Sequence, residues 1–361
     1  MGRALIREAA AGPVAFVFTI GILGELRDQQ GRSLGQIFGA PHVLQHVDYP
    51  LTHLKRLEET ADETALLVVD QTHVHALHST FGMERFAHVA FGPHGAVGQP
   101  PEPDSDAGQF VARRPIPVLF AGTYYGPEQP PWANEQGVLR DIFDAALEAA
   151  LSADFVPALE AMDLSLRAHG LDPIDPGLNR VRKYATMIHE QVRRIRRRAL
   201  LDAVGAAQLP VQIVGSGYEG RFDHFRTFQF LGTASLHEVS RLMRTARLVL
   251  NINANFGEGS HERPLTAMLA GAAVASDHST WWAKHFVENQ DLLLYRWQDL
   301  DAGLARVTAL IDDPETAWSL ASAGQRRVVA EHRFDQRTQI ILEAAQAVRA
   351  RRPDLFAAHS A

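Results

Sequence analysis

The 361-residue chain contains no cysteine. That excludes disulfide frameworks, thiolate zinc sites and a cysteine nucleophile. No run of about 18 or more residues is uniformly apolar, so no membrane span is expected. The opening stretch MGRALIREAAAGPVAFVF has no long apolar segment ahead of a small-residue cleavage site. A cytoplasmic protein is therefore the expectation. A basic excess is also missing: the formal net charge is −7, which argues against a surface built as a whole for nucleic acid.

What is present is ordinary globular material, with 46% hydrophobic and 21% charged residues. One hydrophobic core rarely grows past ~250–300 residues, so two domains are expected. The abundance of alanine and arginine points to a bacterial source. Seventeen histidines are scattered along the chain. His42 and His46 lie in a strand-and-turn context that suits a metal poorly. His75 and His78 could share a helix face after the strand LLVVD, although surface or capping roles are the simpler reading.

Short apolar runs alternate with helical periodicity, the signature of α/β folds with parallel sheets. In the first half, strands are expected at Val14–Ile20, Val43–His46, Ala65–Asp70 and Ala87–Phe91. Helices are expected up to about Ile37, over Leu51–Glu59 and over Gln71–Phe81. Ligands bind outside the carboxyl ends of parallel strands, which makes Asp48, Asp70 and His94 candidate site residues. The segment Gly98–Gly108 (GQPPEPDSDAG) reads as a linker or exposed loop, and a domain boundary is placed near residue 115. The two domains are then 1–115 and 116–361.

In the second domain a strand is expected at Ile116–Ala121, followed by a helical insertion over about 132–205. Within it, Leu178 to Val204 carries Val181, Tyr184, Ile188, Val192 and Ile195 at helical spacing. The same helix holds Arg193, Arg194, Arg196, Arg197 and Arg198. They could form a patch for an anionic acceptor or a membrane surface, or simply a solvated face favoured by the helix dipole. Further strands are expected at Val211–Val214, Phe228–Leu231, Leu248–Ile252, Ala273–Ser276 and Leu292–Tyr295. A helix over Ser235–Thr245 has Ser235 and Glu238 at capping-box spacing.

The segment Leu248 to Asp277 (LVLNINANFGEGSHERPLTAMLAGAAVASD) carries the chemistry. It reads as strand, polar glycine-containing loop, helix over Arg263–Gly271, and strand. The helix N-terminus offers unsatisfied amides to an anion. Arg263 in the first turn can grip a diphosphate with two donors. Pro264 suits a first turn. Asn251, Asn253 and Asn255 add amide groups.

This segment resembles the donor-binding motif of GT-B glycosyltransferases, and most closely the CgeB-like (spore-maturation) branch. The pattern stands here as Leu250-Asn251, Phe256, Gly259, His261-Glu262-Arg263, Ala267-Met268 and Gly271. Val118 to Thr123 (VLFAGT), Val211 to Tyr218 (VQIVGSGY) and Asp312 to Phe334 resemble flanking parts, so the likeness covers roughly residues 116–345. Asp48-Tyr49-Pro50 resembles a turn of the acceptor domain.

The resemblance implies two Rossmann-like domains facing across a cleft, the C-terminal one holding a nucleoside-diphosphate sugar. It implies donor-binding roles for Gly122, Thr123, Gly215, Ser216, Gly217, Tyr218, Asn253, Asn255, Phe256, Glu258, Gly259, Ser260, His261, Glu262, Arg263 and Thr266. Gly215 and Gly217 would let the backbone approach the nucleobase or ribose. Glu258, His261, Glu262 and Arg263 would surround the diphosphate and sugar. The expected activity is transfer of a hexosyl or related group to a glycan, lipid or protein, with no cofactor. No Asp-x-Asp stands where a bound divalent metal is expected, so metal independence is expected too. Arg263 would stabilise the leaving diphosphate, and Asp48, Asp70 and His94 are the candidate bases, in that order. A second glutamate eight positions beyond Glu258 would fall at Thr266, which keeps a hydroxyl but no charge. A non-catalytic sugar-nucleotide-binding or scaffold protein of the same fold is the alternative, and a GT-B-shaped epimerase a third.

Overall fold

The computed structural model describes residues 12–21, 24–126, 129–253 and 256–356. Two compact units emerge, one from Met1–Pro93 with Asp335–Ala361 and one from His94–Phe334. Each is an α/β unit on a wholly parallel sheet, the class expected from the alternation of strand and helix patterns.

The first unit has strands β1 (Val17–Ile20), β2 (His42–His46), β3 (Ala65–Val68) and β4 (His88–Phe91) in that spatial order. All residues of β2 and β3 are buried, as parallel strands covered on both faces require. Helix α1 (Leu34–Phe38) begins at a capping box of Ser33 and Gln36. The longer helix expected before it is replaced by a turn that Asp28 organises. Its carboxylate accepts from the backbone N–H of Gln30 and of Arg32. Pro50–His53 forms a single 3-10 turn before α2 (Leu54–Glu59). Helix α3 (Gln71–Phe81) starts at Asp70, whose carboxylate accepts from Thr72 N–H at 2.8 Å.

The second unit has strands β5 (Ile116–Ala121), β6 (Val211–Val214), β7 (Phe228–Phe230), β8 (Ala246–Leu250), β9 (Ala273–Asp277) and β10 (Leu293–Tyr295). Their spatial order is β10-β9-β8-β5-β6-β7. The winding reverses at β5, so the switch point lies between β5 and β8, where open parallel sheets bind ligands. Helix α4 (Ala107–Arg113) precedes β5. Between β5 and β6 the helices are α5 (Val138–Leu151), α6 (Ala158–Ala168), α7 (Asn179–Lys183) and α8 (Ala185–Ala206). Helix α9 (Leu236–Arg244) carries the expected capping box of Ser235 and Glu238. The remaining helices of the unit are α10 (Glu262–Leu269), α11 (Thr280–His285), α12 (Leu300–Asp312) and α13 (Pro314–Glu331).

The units part at residue 93, not near 115. The segment read as a linker is bound to the second unit. Phe110 of α4 lies in its core. Arg114 donates to Arg244 O at 2.9 Å and Ala270 O at 3.2 Å, and the Trp318 indole donates to Asp104 O at 3.0 Å. At the other end, α14 (Thr338–Arg351) packs on β2, β3 and β4 of the first unit, burying Ile341, Ala344, Ala345 and Val348.

Asp70 is fully buried and satisfies the α3 N-terminus. Asp70→Ala should therefore lower stability by about 1 kcal/mol, and Asp70→Asn or Asp70→Ser should recover most of it. Urea unfolding curves for the three variants check this.

Candidate active site at the carboxyl end of β5

The site is built around three consecutive carbonyls that end β5. The Ala121 carbonyl accepts from the Arg263 guanidinium, and the Thr123 carbonyl from that of Arg197. Between them, the Gly122 carbonyl accepts from the Tyr218 hydroxyl at 2.5 Å. Burial pushes the Tyr218 phenol up to about 12, so it stays a donor at neutral pH. Arg263 comes from α10, Tyr218 from the turn after β6, and Arg197 from α8.

The turn after β6 needs glycine for packing. Gly215 has φ +141° and a Cβ there would lie 1.9 Å from Gly122 O; Gly217 has φ +87° and its Cβ would lie 2.2 Å from Tyr124 O. The two strand ends are thus in backbone contact, also joined by Tyr124 N–H donating to Ser216 O at 2.8 Å. These glycines let one loop backbone touch another.

The two guanidinium groups converge. A Cβ placed on Gly122 would lie 3.3 Å from Arg263 Nη1 and 3.6 Å from Arg197 Nη2. Burial lowers Arg197 to about 10, and the like charges of Arg263 and Arg193 push the same way. Burial also lowers Arg263. Among the described residues, neither arginine has a carboxylate at ion-pair distance, and Arg197 Nε is buried without a partner. Two charged cations therefore meet at the switch point. Arg197 was not singled out in the sequence, where it reads as one arginine of a run.

That run is not a surface patch. Arg196 and Arg197 are buried. Arg196 donates to the carbonyls of Asp154 at 2.6 Å and Ala153 at 2.7 Å. Arg193 pairs with Glu190 and covers the Tyr125 ring at 4.7 Å. Arg194 donates to Gln191, and Arg198 pairs with Asp202 at 2.6 Å. Arg197 alone of the run meets a carbonyl at the end of β5, while Arg193, Arg194 and Arg198 are half-buried. No helix among the described residues is long and apolar enough to cross a membrane.

The loop from β8 to α10 is held by its own side chains. Asn253 donates to Phe256 O at 2.7 Å and accepts from His261 N–H at 2.9 Å. A Cβ on Gly257 would fall 1.9 Å from the Phe155 ring, so glycine is required there by close packing. Asn251 Oδ1 and Ser260 Oγ are buried without a partner. Glu258 is exposed, while Phe256, His261, Glu262, Arg263 and Thr266 are half-buried. Asn255 lies outside the described residues.

Glu262 bonds His261 Nδ1 at 2.5 Å and lies 3.8 Å from His94 Nε2. Burial works to raise the Glu262 carboxyl, but His261, His94 and Arg263 outweigh it and hold it well below the usual range. His94 belongs to the second unit, and its ring stacks on His261 with centroids 6.2 Å apart. It is therefore part of the loop's surroundings, not a group of the first unit. The other two candidate bases lie in the first unit. Asp48 is exposed and its carboxylate is 3.2 Å from His53 Nε2. Asp70 is occupied as a helix cap. On α3, His73 is buried against Tyr49 and lowered to about 3 by that burial, and His75 pairs with Ser79 at 3.3 Å. Among the described residues, no group of three or more His, Asp or Glu side chains gathers as a metal site.

Residues 193–343 match a family described as "Glycosyl transferase-like". The matched segment runs from the arginines of α8 through β6, β8, α10 and β9. No curated protein matches the sequence. Among solved structures, the chain is similar to TarM at 8% identity and a TM-score of 0.46, covering 84% of this chain and 50% of that one. It thus spans about half of TarM's length. It is similar to Anabaena HepE in complex with UDP-glucose at 14% identity and a TM-score of 0.45, covering 87% of this chain and 74% of that one. It is similar to sucrose-phosphate synthase from Thermosynechococcus elongatus at 13% identity and a TM-score of 0.44, covering 99% and 77% respectively.

The packing at the β6 turn predicts that Gly217→Ala loses about 2 kcal/mol or more, since a left-handed conformation and a backbone clash coincide. Denaturant unfolding of that variant beside Gly98→Ala, where φ is positive but the space is open, separates the clash from the backbone preference.

Proposed function

We propose that this protein is a glycosyltransferase of GT-B type that takes a sugar from a nucleoside-diphosphate donor. The observation that carries the reading is the convergence of Arg197 and Arg263 on the carboxyl end of β5 with no carboxylate partner among the described residues. Two like charges held this close destabilise each other, and an arrangement that keeps them together suits a ligand of opposite charge. A diphosphate matches the pair in charge and geometry. The match of residues 193–343 to a glycosyl transferase-like family supports the same reading. The likeness of Leu250 to Gly271 to the CgeB-like pattern supports a place in that branch.

In the reaction, the bond from the anomeric carbon to the diphosphate oxygen breaks and negative charge grows on the leaving group. Arg197, Arg263 and the positive end of α10 would stabilise that charge, which makes transfer independent of a metal ion. Glu262 would hold His261 in one orientation at the helix start. Asn253 would set the loop that carries Glu258, Gly259 and Ser260 toward the sugar. The acceptor would be a glycan, lipid or protein hydroxyl. The non-catalytic reading rests on Thr266, a half-buried hydroxyl on α10 where charge is expected.

A panel of nucleoside diphosphates and their sugars should raise the melting temperature by roughly 5 °C at about a hundredfold excess over the dissociation constant. Arg197→Met should abolish that shift; it also takes the donor from the Thr123 carbonyl, so the free protein should melt a few degrees lower while remaining folded. A wild type that no nucleotide stabilises refutes the donor site. Stabilisation without any release of nucleoside diphosphate from the sugar form supports the scaffold reading.

A further inference from the structure

Asp277 ends β9, two strands from β5 in the sheet, and is buried. One carboxylate oxygen accepts from the Asn253 backbone N–H and from the Ser276 hydroxyl at 3.3 Å. The other accepts from the Trp297 indole N–H at 3.1 Å. From Asn253 the connection continues through its side chain to Phe256 O, Gly259 O and His261 N–H. His261 is the N-cap of α10, and Arg263 lies in that helix's first turn. The residues after Asp277 hold the same loop. Thr280 donates to Gly257 O through its N–H at 2.9 Å and its hydroxyl at 2.7 Å, and Ser279 donates to Gly259 O at 3.3 Å.

We infer that Asp277 is a positioning residue, whose carboxylate fixes Asn253 and, through its side chain, residues 256–261, the start of α10 and Arg263. Its consequence for ligand binding rests on the donor-site reading; the anchoring of the loop does not. Three donors converge on this one carboxyl group. A carboxylate can accept from all of them, whereas a protonated carboxyl turns one oxygen into a donor and weakens one side of the anchor.

Burial raises the Asp277 carboxyl to about 6, against the lowering effects of Asn253 N–H, Arg196 and the Trp297 indole. The charged and titratable groups that act around it are Arg196 from α8, Arg263 from α10 and Tyr295 from β10. Asp154 lies beside Arg196, and His278 Nδ1 is 4.0 Å from Asp154. The signs separate two effects. A carboxyl raised on folding contributes stability that is full below its unfolded value of about 4 and is lost as pH rises through about 6. The loop anchor runs the other way, complete above about 6 and weakened below it.

The test is hydrogen exchange on the full chain across peptides covering 253–261, read as protection factors so that intrinsic pH dependence divides out, together with affinity for inorganic pyrophosphate. In the wild type, protection at Asn253 and His261 should fall about tenfold between about pH 8 and pH 5, the scale of one weakened buried hydrogen bond. Asp277→Asn keeps the shape but has one acceptor oxygen. It should show the low protection at both pH values and bind pyrophosphate about tenfold more weakly at about pH 8, with the difference closing near pH 5. Wild-type protection in Asp277→Asn at about pH 8 overturns the inference. If Asp277→Asn does not fold, Trp297→Phe removes one donor and should move the wild-type protection midpoint upward; an unmoved midpoint overturns the inference equally. A wild type that shows the exchange pattern but binds neither pyrophosphate nor nucleotide sinks the donor-site reading and leaves the anchor standing.

Discussion

Main-chain carbonyls at the end of a parallel strand have no further strand partner, and buried ones must find donors elsewhere. At the end of β5 this requirement falls on Ala121, Gly122 and Thr123 in succession. Each is met by a side chain from a different element: Arg263 from α10, Tyr218 from the β6 turn and Arg197 from α8. The strand end therefore ties the two halves of the sheet to the helical insertion. The close glycine turn after β6 follows from this, since Tyr218 reaches Gly122 only if Gly215 and Gly217 bring the backbones into contact. The convergence of two cations follows as well. Their mutual repulsion is tolerated because carbonyl dipoles face them, and the positive potential left over is the site's main chemical asset.

The loop from β8 to α10 shows how such potential is made precise in space. Its hydrogen bonds run from Asp277 through Asn253 to the helix cap, with Thr280 and Ser279 holding the glycine carbonyls. Polar side chains that could have served a ligand are instead used to fix the backbone, which leaves Arg263 and the helix terminus preorganised. Asn251 Oδ1 and Ser260 Oγ are buried with no partner among the described residues. Unpaired buried polar atoms are destabilising.

The first unit offers less chemistry. Its candidate acids are spent on structure or exposed: Asp70 on the cap of α3, Asp48 beside His53 at the surface. Its histidines His42 and His46 are buried in β2 and lowered to about 4 by that burial, so they are neutral packing residues near pH 7. The unit is completed by α14 from the far end of the chain.

Much of the architecture was legible in the sequence because it depends on local patterns. The apolar runs of β3 and β5 are continuous since both faces are covered, and the Ser235–Glu238 box marks a helix start by itself. The strand–loop–helix around Arg263 was legible for the same reason, as were the glycines flanking Tyr218. What the sequence could not reveal lies in sequence-distant pairing. The unit boundary at residue 93 depends on Phe110 and Arg114 packing against elements more than a hundred residues away. Arg197 looks like its neighbours in the run, because only the path of α8 decides which arginine meets the β5 carbonyls. Asp277 reads as the last residue of a strand, and only burial among Asn253, Trp297 and Arg196 makes it the anchor of the loop. Local periodicity and turn chemistry thus determined the elements and the start of α10. The tertiary structure alone decided which charges meet, because burial and hydrogen-bond satisfaction are properties of the packed chain.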